Sequence, residues 1–233
     1  MTRTTLIVTG VGALSLALGT PVLAQQDELQ ERVNALKASL AQSQTSLRSY
    51  EWIETTVVTV KEEEKSRQQS RVYYGAEGEL QKVPLTTPPP EEKGRGLRGK
   101  IKAVKKEEVT EYMQQAVGIV RQYVPPDPAK IHAAKDQGRA SLEMIDPGKV
   151  ARLVVSGYLQ PGDSWAAEID LQSNRLLAVR IATFDSERNP IQLDVGFGGL
   201  GDGTGYTSDI SLNAPAKEIK VTTTNSGYRK LGS

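Results

Sequence analysis

The sequence predicts an α+β fold: one strongly curved antiparallel sheet of about ten strands, with amphipathic helices covering its apolar concave face. Three observations predict it. From residue 139 onward apolar and polar side chains alternate with period two, in runs of about eight broken by Gly, Pro, Asn or Asp. Three more strand-like runs lie between 50 and 85. Two stretches, 25–48 and 99–123, instead space their apolar residues as helices do. A sheet this wide curls or partly closes, and its apolar face has no other cover than those helices.

The elements follow in chain order. "MTRTT" is a short positive leader, "LIVTGVGALSLALG" (6–19) an uncharged apolar run, and Val22 and Ala24 stand at the −3 and −1 positions of a small-residue cleavage site. Residues 1–24 therefore read as a secretory signal peptide cut after Ala24, leaving 25–233 as a single domain in an exported, periplasmic protein. The apolar run is shorter than the roughly 20 residues of a spanning helix, so no stable transmembrane insertion is expected. Next, Leu29, Val33, Leu36, Leu40 and Leu47 form one stripe of a helix. "YEWIETTVVTV" (50–60) passes through the charged bend "KEEEKS" into "RQQSRVYY", and "GAEG" turns the chain into "ELQKVPL". Three consecutive prolines in "TTPPPEEKGRGLRGK" (86–100) cannot join a sheet ladder and mark an exposed loop. The second helix presents Ile101, Val104, Val109, Met113, Ala116, Val117, Val120 and Tyr123, and Pro125 and Pro126 stop it. Asp127 caps a short third helix that begins at Pro128 and ends by Gly138.

Then comes the meander: "RASLEMI", "VARLVVSGYL", "SWAAEIDL", "LLAVRIATF", "PIQLDVGFG", "DISLN" and "EIKVTTT". In the third of these, Trp165, Ala167 and Ile169 share one face, with Glu168 and Asp170 on the other.

Composition excludes several functions. Lys plus Arg number 29 against 28 Asp plus Glu, and Arg3 leaves with the signal peptide, so the mature charge balances. Nucleic-acid binding has no electrostatic basis. With no cysteine there is no disulfide, thiol chemistry or cysteine metal site, and no residue after Ala24 to accept a lipid. His132, the one histidine, cannot build a His-rich metal site, and no G-x-S-x-G elbow exists to pair with it. "GFGGLG" (196–201) matches a dinucleotide fingerprint in letters only, since "DGTGYTSD" after it cannot start a helix; a strand-to-strand loop is expected there. Asp202 and Asp209 lack the alternating acidic spacing of a calcium loop. The carboxylates of "KEEEK" diverge at a bend rather than face each other across a substrate. "KGRGLRGKIKAVKK" (93–106) concentrates positive charge that could meet anionic head groups or a partner protein. No cofactor, metal or catalytic group is indicated.

Three stretches, "YEWIETTVVTVKEEEKSRQQSRVYYGAEGELQKVPL", "QQAVGIVRQYVPPDPAKI" and "SGYRKL", resemble the LolA/LolB-like periplasmic lipoprotein-carrier family, and in particular exported proteins similar to outer-membrane lipoprotein-sorting proteins. The resemblance implies an unclosed β-barrel with a helical lid over a hydrophobic cavity that shields acyl chains. The family's carriers latch the lid with an arginine beside a proline on an early strand. Arg67 and Arg71 in "RQQSRVYY" have no such proline and are not carried over. The cavity-lining candidates are Tyr50, Trp52, Val58 and Val60 on the first strand, Met113, Val117 and Val120 on the second helix, and Trp165. Each of these could equally be packed core. The function that follows is a non-catalytic carrier of a lipid, an acyl chain or a lipidated protein. The alternative is an envelope assembly factor with a filled core and a protein partner; a hydrolase is disfavoured because no nucleophile–base pair is visible.

Overall fold

The computed structural model describes residues 38–85 and 97–232, the side chains of 97–107 excepted. The signal segment, Leu29, Val33 and Leu36, the proline loop and the side chains of the basic stretch lie outside the described residues.

Ten strands make one sheet: β1 (Tyr50–Val60), β2 (Glu63–Tyr74), β3 (Leu80–Pro84), β4 (Ala140–Asp146), β5 (Val150–Ser156), β6 (Ser164–Asp170), β7 (Arg175–Phe184), β8 (Pro190–Gly199), β9 (Gly205–Ala214) and β10 (Ile219–Lys230). Helix α1 occupies residues 38–47, α2 is Leu97–Val120 and α3 is Pro128–Asp136. The spatial order is β3-β2-β1-β10-β9-β8-β7-β6-β5-β4, and the cross-strand pairs run antiparallel. The predicted class holds: α+β, with a curved sheet left unclosed, β3 and β4 standing at its two ends. Register shifts at Glu51/Ile53, Glu168/Ile169 and Gly196/Phe197 insert extra residues that bend the strands.

The seven-strand meander β4–β10 matches its periodicity. The joint between β10 and β1 does not follow from any local pattern: Thr56 and Thr223, whose hydroxyls lie 3.1 Å apart, are separated by 167 residues. That joint also explains why β10 extends to Lys230 instead of ending near Thr224, because β1 pairs with its outer half. Two turns are tighter than expected. Only Lys61 and Glu62 turn β1 into β2, both at positive φ (55° and 62°), the mirror-image geometry that suits a twisted hairpin. The glycine-rich stretch is likewise mostly strand, with only Leu200–Thr204 between β8 and β9.

The register traces two rows across the concave face. Val155, Trp165, Ile181, Leu193, Leu212, Val221 and Val58 are successive cross-strand neighbours, ending at Ser66. Beside them run Leu153, Ala167, Val179, Val195, Ile210, Thr223, Thr56 and Gln68. Both rows are apolar from β5 to β9; the first stays apolar through Val221 and Val58 and ends at Ser66, whereas the second turns to threonine and glutamine over β10, β1 and β2. The helices lie on the apolar half. Ala116, Val120, Tyr123 and Ala134 are buried in one cluster with Val155, Trp165, Ile181, Ile191, Leu193 and Leu212. Met113, Val117 and Ile131 pack against it. Each fully buried Val, Leu or Ile here contributes about 1.5–3 kcal/mol of apolar transfer.

One expectation needs correction. The period-two alternation of "RASLEMI" puts Leu142 and Met144 of β4 on the face meant to be buried, but they are 57% and 49% exposed. The sheet ends at β4, so no further strand supports a cover there.

Candidate apolar binding site

Three polar ties hold α2 and α3 on the sheet. Past Val120 a short 3-10 turn, Arg121–Tyr123, drives Tyr123 into the interior. Its hydroxyl donates to Asp163 Oδ2 at 2.6 Å and lies 2.7 Å from Thr183 Oγ1. Burial, together with the Asp163 carboxylate, pushes the Tyr123 hydroxyl well above its ordinary pKa. The interior of α2 is tied by Tyr112, whose hydroxyl donates to Asp185 Oδ2 at 3.2 Å and is pushed up to about 12 by burial and by Asp185. Asp127 caps α3 as expected, accepting from the Ala129 amide at 2.9 Å, while its own amide donates to the Tyr158 hydroxyl. Tyrosines thus fasten α2 and α3 to the sheet. Arg67 is engaged with Glu64, and Arg71 lies 4.0 Å from Glu51 and over the Tyr73 ring, so neither arginine reaches the helices.

The eight predicted lining residues separate into three groups. Met113, Val117, Val120 and Trp165 are together in the packed cluster beneath α2. Trp165 stacks on Tyr158, and its Nε1 is buried without a hydrogen-bond partner among the described residues. Tyr50 and Trp52 are buried elsewhere: Trp52 stacks on Tyr228 at 5.4 Å and tilts against Tyr74, and its Nε1 donates to Asn225 Oδ1. Tyr228 in turn meets Tyr206 at 4.3 Å. Val58 and Val60 are half-buried beside the threonine row.

The open apolar space lies at the other end of the sheet, between α1 and the ends of β7, β8 and β9. Leu40 and Leu47 of α1, Leu176 and Leu177 of β7, Phe197 of β8 and Tyr206 of β9 line a cleft of about 180 Å³. Sequence reasoning found Leu40 and Leu47 as part of a helical stripe but not their opposite wall. Register shifts at Glu168/Ile169 and Gly196/Phe197, unreadable from local pattern, set that wall. Tyr206 joins the cleft to the aromatic group behind it, so Trp52 stands in a second row through Tyr228.

One hydrogen bond joins α1 to β9, and a second fixes the start of the strand that follows it. The Gly205 amide donates to Ser43 Oγ at 3.0 Å, and a Cβ on Gly205 would stand 3.0 Å from that same oxygen, so the close approach depends on glycine. The Tyr50 hydroxyl, just past the helix, donates to Asp202 Oδ2 at 2.7 Å. That bond and the Thr204 amide hold the Asp202 carboxyl down at about 2, and Asp202 raises Tyr50 reciprocally. Asp202 is therefore a clasp. Among the described residues no cluster of three or more His, Cys, Asp or Glu is placed to hold a metal, and His132 is exposed on α3.

An open antiparallel sheet with helices packed on one side is the architecture that the sequence resemblance implies. Structural comparison finds likeness to LolA superfamily protein NE2245 from Nitrosomonas europaea, at 9% identity and a TM-score of 0.36, covering 85% of this chain and 94% of that one. A DUF1329 family protein from Desulfovibrio piger aligns at 8% identity and a TM-score of 0.36, over 86% and 92%. The Pseudomonas aeruginosa MucA/MucB complex contributes a chain at 8% identity and a TM-score of 0.22, over 86% and 100%. No protein-family profile and no curated protein matches the sequence. Among the described residues no helix is long and apolar enough to cross a membrane.

Proposed function

We propose that this protein is an exported, non-catalytic carrier that shelters an acyl chain, of a lipid or a lipidated protein, in the periplasm. The observation that carries this reading is the apolar cleft of about 180 Å³ between α1 and strands β7–β9. Its outer wall is a helix joined to the sheet by the Ser43–Gly205 hydrogen bond, whereas its inner wall belongs to the sheet. The guest enters by displacing α1, and apolar burial supplies affinity at roughly 25 cal/mol per Å² before ordering costs. The α2–α3 face, tied down by Tyr112 and Tyr123, stays closed. The test is to purify the chain from Gln25, identify co-eluting lipid by mass spectrometry and titrate an apolar fluorophore. Saturable dye binding that falls about tenfold or more in Leu176→Asp and Phe197→Asp supports the reading. Lipid-free protein that leaves the dye unbound overturns it.

A second reading is an envelope assembly factor acting through its outer surface. The packed cluster beneath α2 and α3, with Tyr123 and Ile191 fully enclosed, favours it. Cross-linking in the envelope that yields one stable protein partner and no lipid would select this second reading.

A further inference from the structure

Charge around the α1 cleft is one-sided. Arg175, the first residue of β7, is the single ionisable group with formal charge among the described residues lining it; the other polar members are Ser39, Ser43, Gln44 and Thr207. Arg175 Nε donates to Ser173 Oγ at 3.1 Å, which fixes the plane of the guanidinium. The Nη1 end lies against Gly199, so close that a Cβ at that position would come within 2.3 Å of it; glycine there leaves the guanidinium its seat. Among the described residues neither Nη nitrogen has a hydrogen bond or ion pair. The neighbouring Asp170, which feels the Arg175 charge, already accepts from the Gln172 and Ser173 amides through Oδ1. An oriented guanidinium with a free fork thus stands at the rim of a cleft whose floor is Leu40, Leu47, Leu176 and Phe197.

A planar fork of donors pairs with a carboxylate through two parallel bonds, and such charge-assisted bonds are the strong ones. We propose that the cleft takes a single acyl chain ending in a carboxylate, a free long-chain fatty acid, with its tail along Leu176 and Phe197 and its head on Arg175. The proposal rests on the carrier reading and adds the head group to it. A neutral ester fills the same apolar floor but leaves the guanidinium without its partner.

The experiment is a titration of the chain from Gln25 with palmitate, with methyl palmitate and with a lysophosphatidic acid of the same chain, repeated for Arg175→Gln and Arg175→Lys after circular dichroism shows both folded. Palmitate is expected to bind at least tenfold more tightly than its methyl ester. Arg175→Gln collapses the ratio of the two affinities toward one, and Arg175→Lys restores part of it. High salt narrows the ratio in the wild type. Equal affinities for acid and ester, or a preference that survives Arg175→Gln, overturn the head-group assignment and leave the carrier reading standing. Tighter binding of the lysophosphatidic acid than of palmitate overturns the carboxylate in favour of a phosphate head. Failure of all three ligands and of the apolar fluorophore overturns both readings together.

Discussion

At the scale of single residues, the hydroxyl of Tyr123 stands out because it is fully buried and bonds two polar side chains, Asp163 just before β6 and Thr183 of β7. Phenylalanine in its place would keep the ring packing and strip a partner from Asp163, a residue that already has one oxygen, Oδ1, buried without a partner among the described residues. Tyr123→Phe is expected to lower stability by about 1–3 kcal/mol with an unchanged denaturant slope, read by urea unfolding. Two groups set opposite pH limits. Asp202, held at about 2 in the folded protein and near 3.9 when unfolded, stabilises the Tyr50 clasp just after α1 above about pH 4 and loses that contribution as pH falls through about 2. Tyr112, raised to about 12, stabilises the seating of α2 fully below about pH 10 and loses that contribution as pH rises toward 12. Proton exchange at the 38–47 amides between pH 4 and 2 checks the first. Its acid sensitivity should vanish in Asp202→Asn, which removes the carboxylate.

At the scale of elements, α1 is the part built to move and α2 the part built to stay. Gly205 decides the first point, since any side chain there presses on Ser43. Gly205→Val is expected to lift α1 from β9, speed amide exchange in 38–47 and weaken apolar dye binding by about tenfold. Ile181→Ala, in the cluster under α2, is expected to cost about 2–5 kcal/mol and to leave the α1 amides unchanged. The same contrast explains what was legible in advance. The meander, the three helices and the Asp127 cap are local patterns of period two or 3.6, and they appear where the sequence places them. The packed group around Met113, Val117, Val120 and Trp165 was foreseen as lining or core because all four residues are apolar at regular spacing. The cleft was not foreseen, because it depends on two register shifts and on glycines that let Arg175 and Ser43 come close. Those are consequences of three-dimensional approach, and glycine in a strand reads only as a loop. Tyr50 and Trp52 were singled out for their face, but which aromatic rings would bury them depended on the partner strand β10.

For the whole molecule, the sheet divides into a greasy half under α2 and α3 and a threonine-rich half over β1 and β2, with the cleft at one end. The two halves of the sheet are joined through β10, supported by the Tyr50–Asp202 bond. Deleting residues from Asn225 onward removes the outer half of that strand, Tyr228 and the Arg229 pairing with the buried Glu51. Such a truncation is expected to erase amide protection in β1–β3 while β5–β8 retain theirs, a pattern that hydrogen exchange with mass spectrometry resolves.

The seam between β1 and β10 also has a consequence in time. A ribosome or translocon delivers the chain from its N-terminus, so Trp52 and Val58 emerge with one flank bare long before Tyr228 and Val221 arrive to cover it. Closing that seam needs a loop spanning nearly the full chain, which makes it a slow step and leaves β1 vulnerable to sticking to other nascent polypeptides until the last strand is out. A holdase that engages the young polypeptide should therefore recognise the segment around 50–60 first.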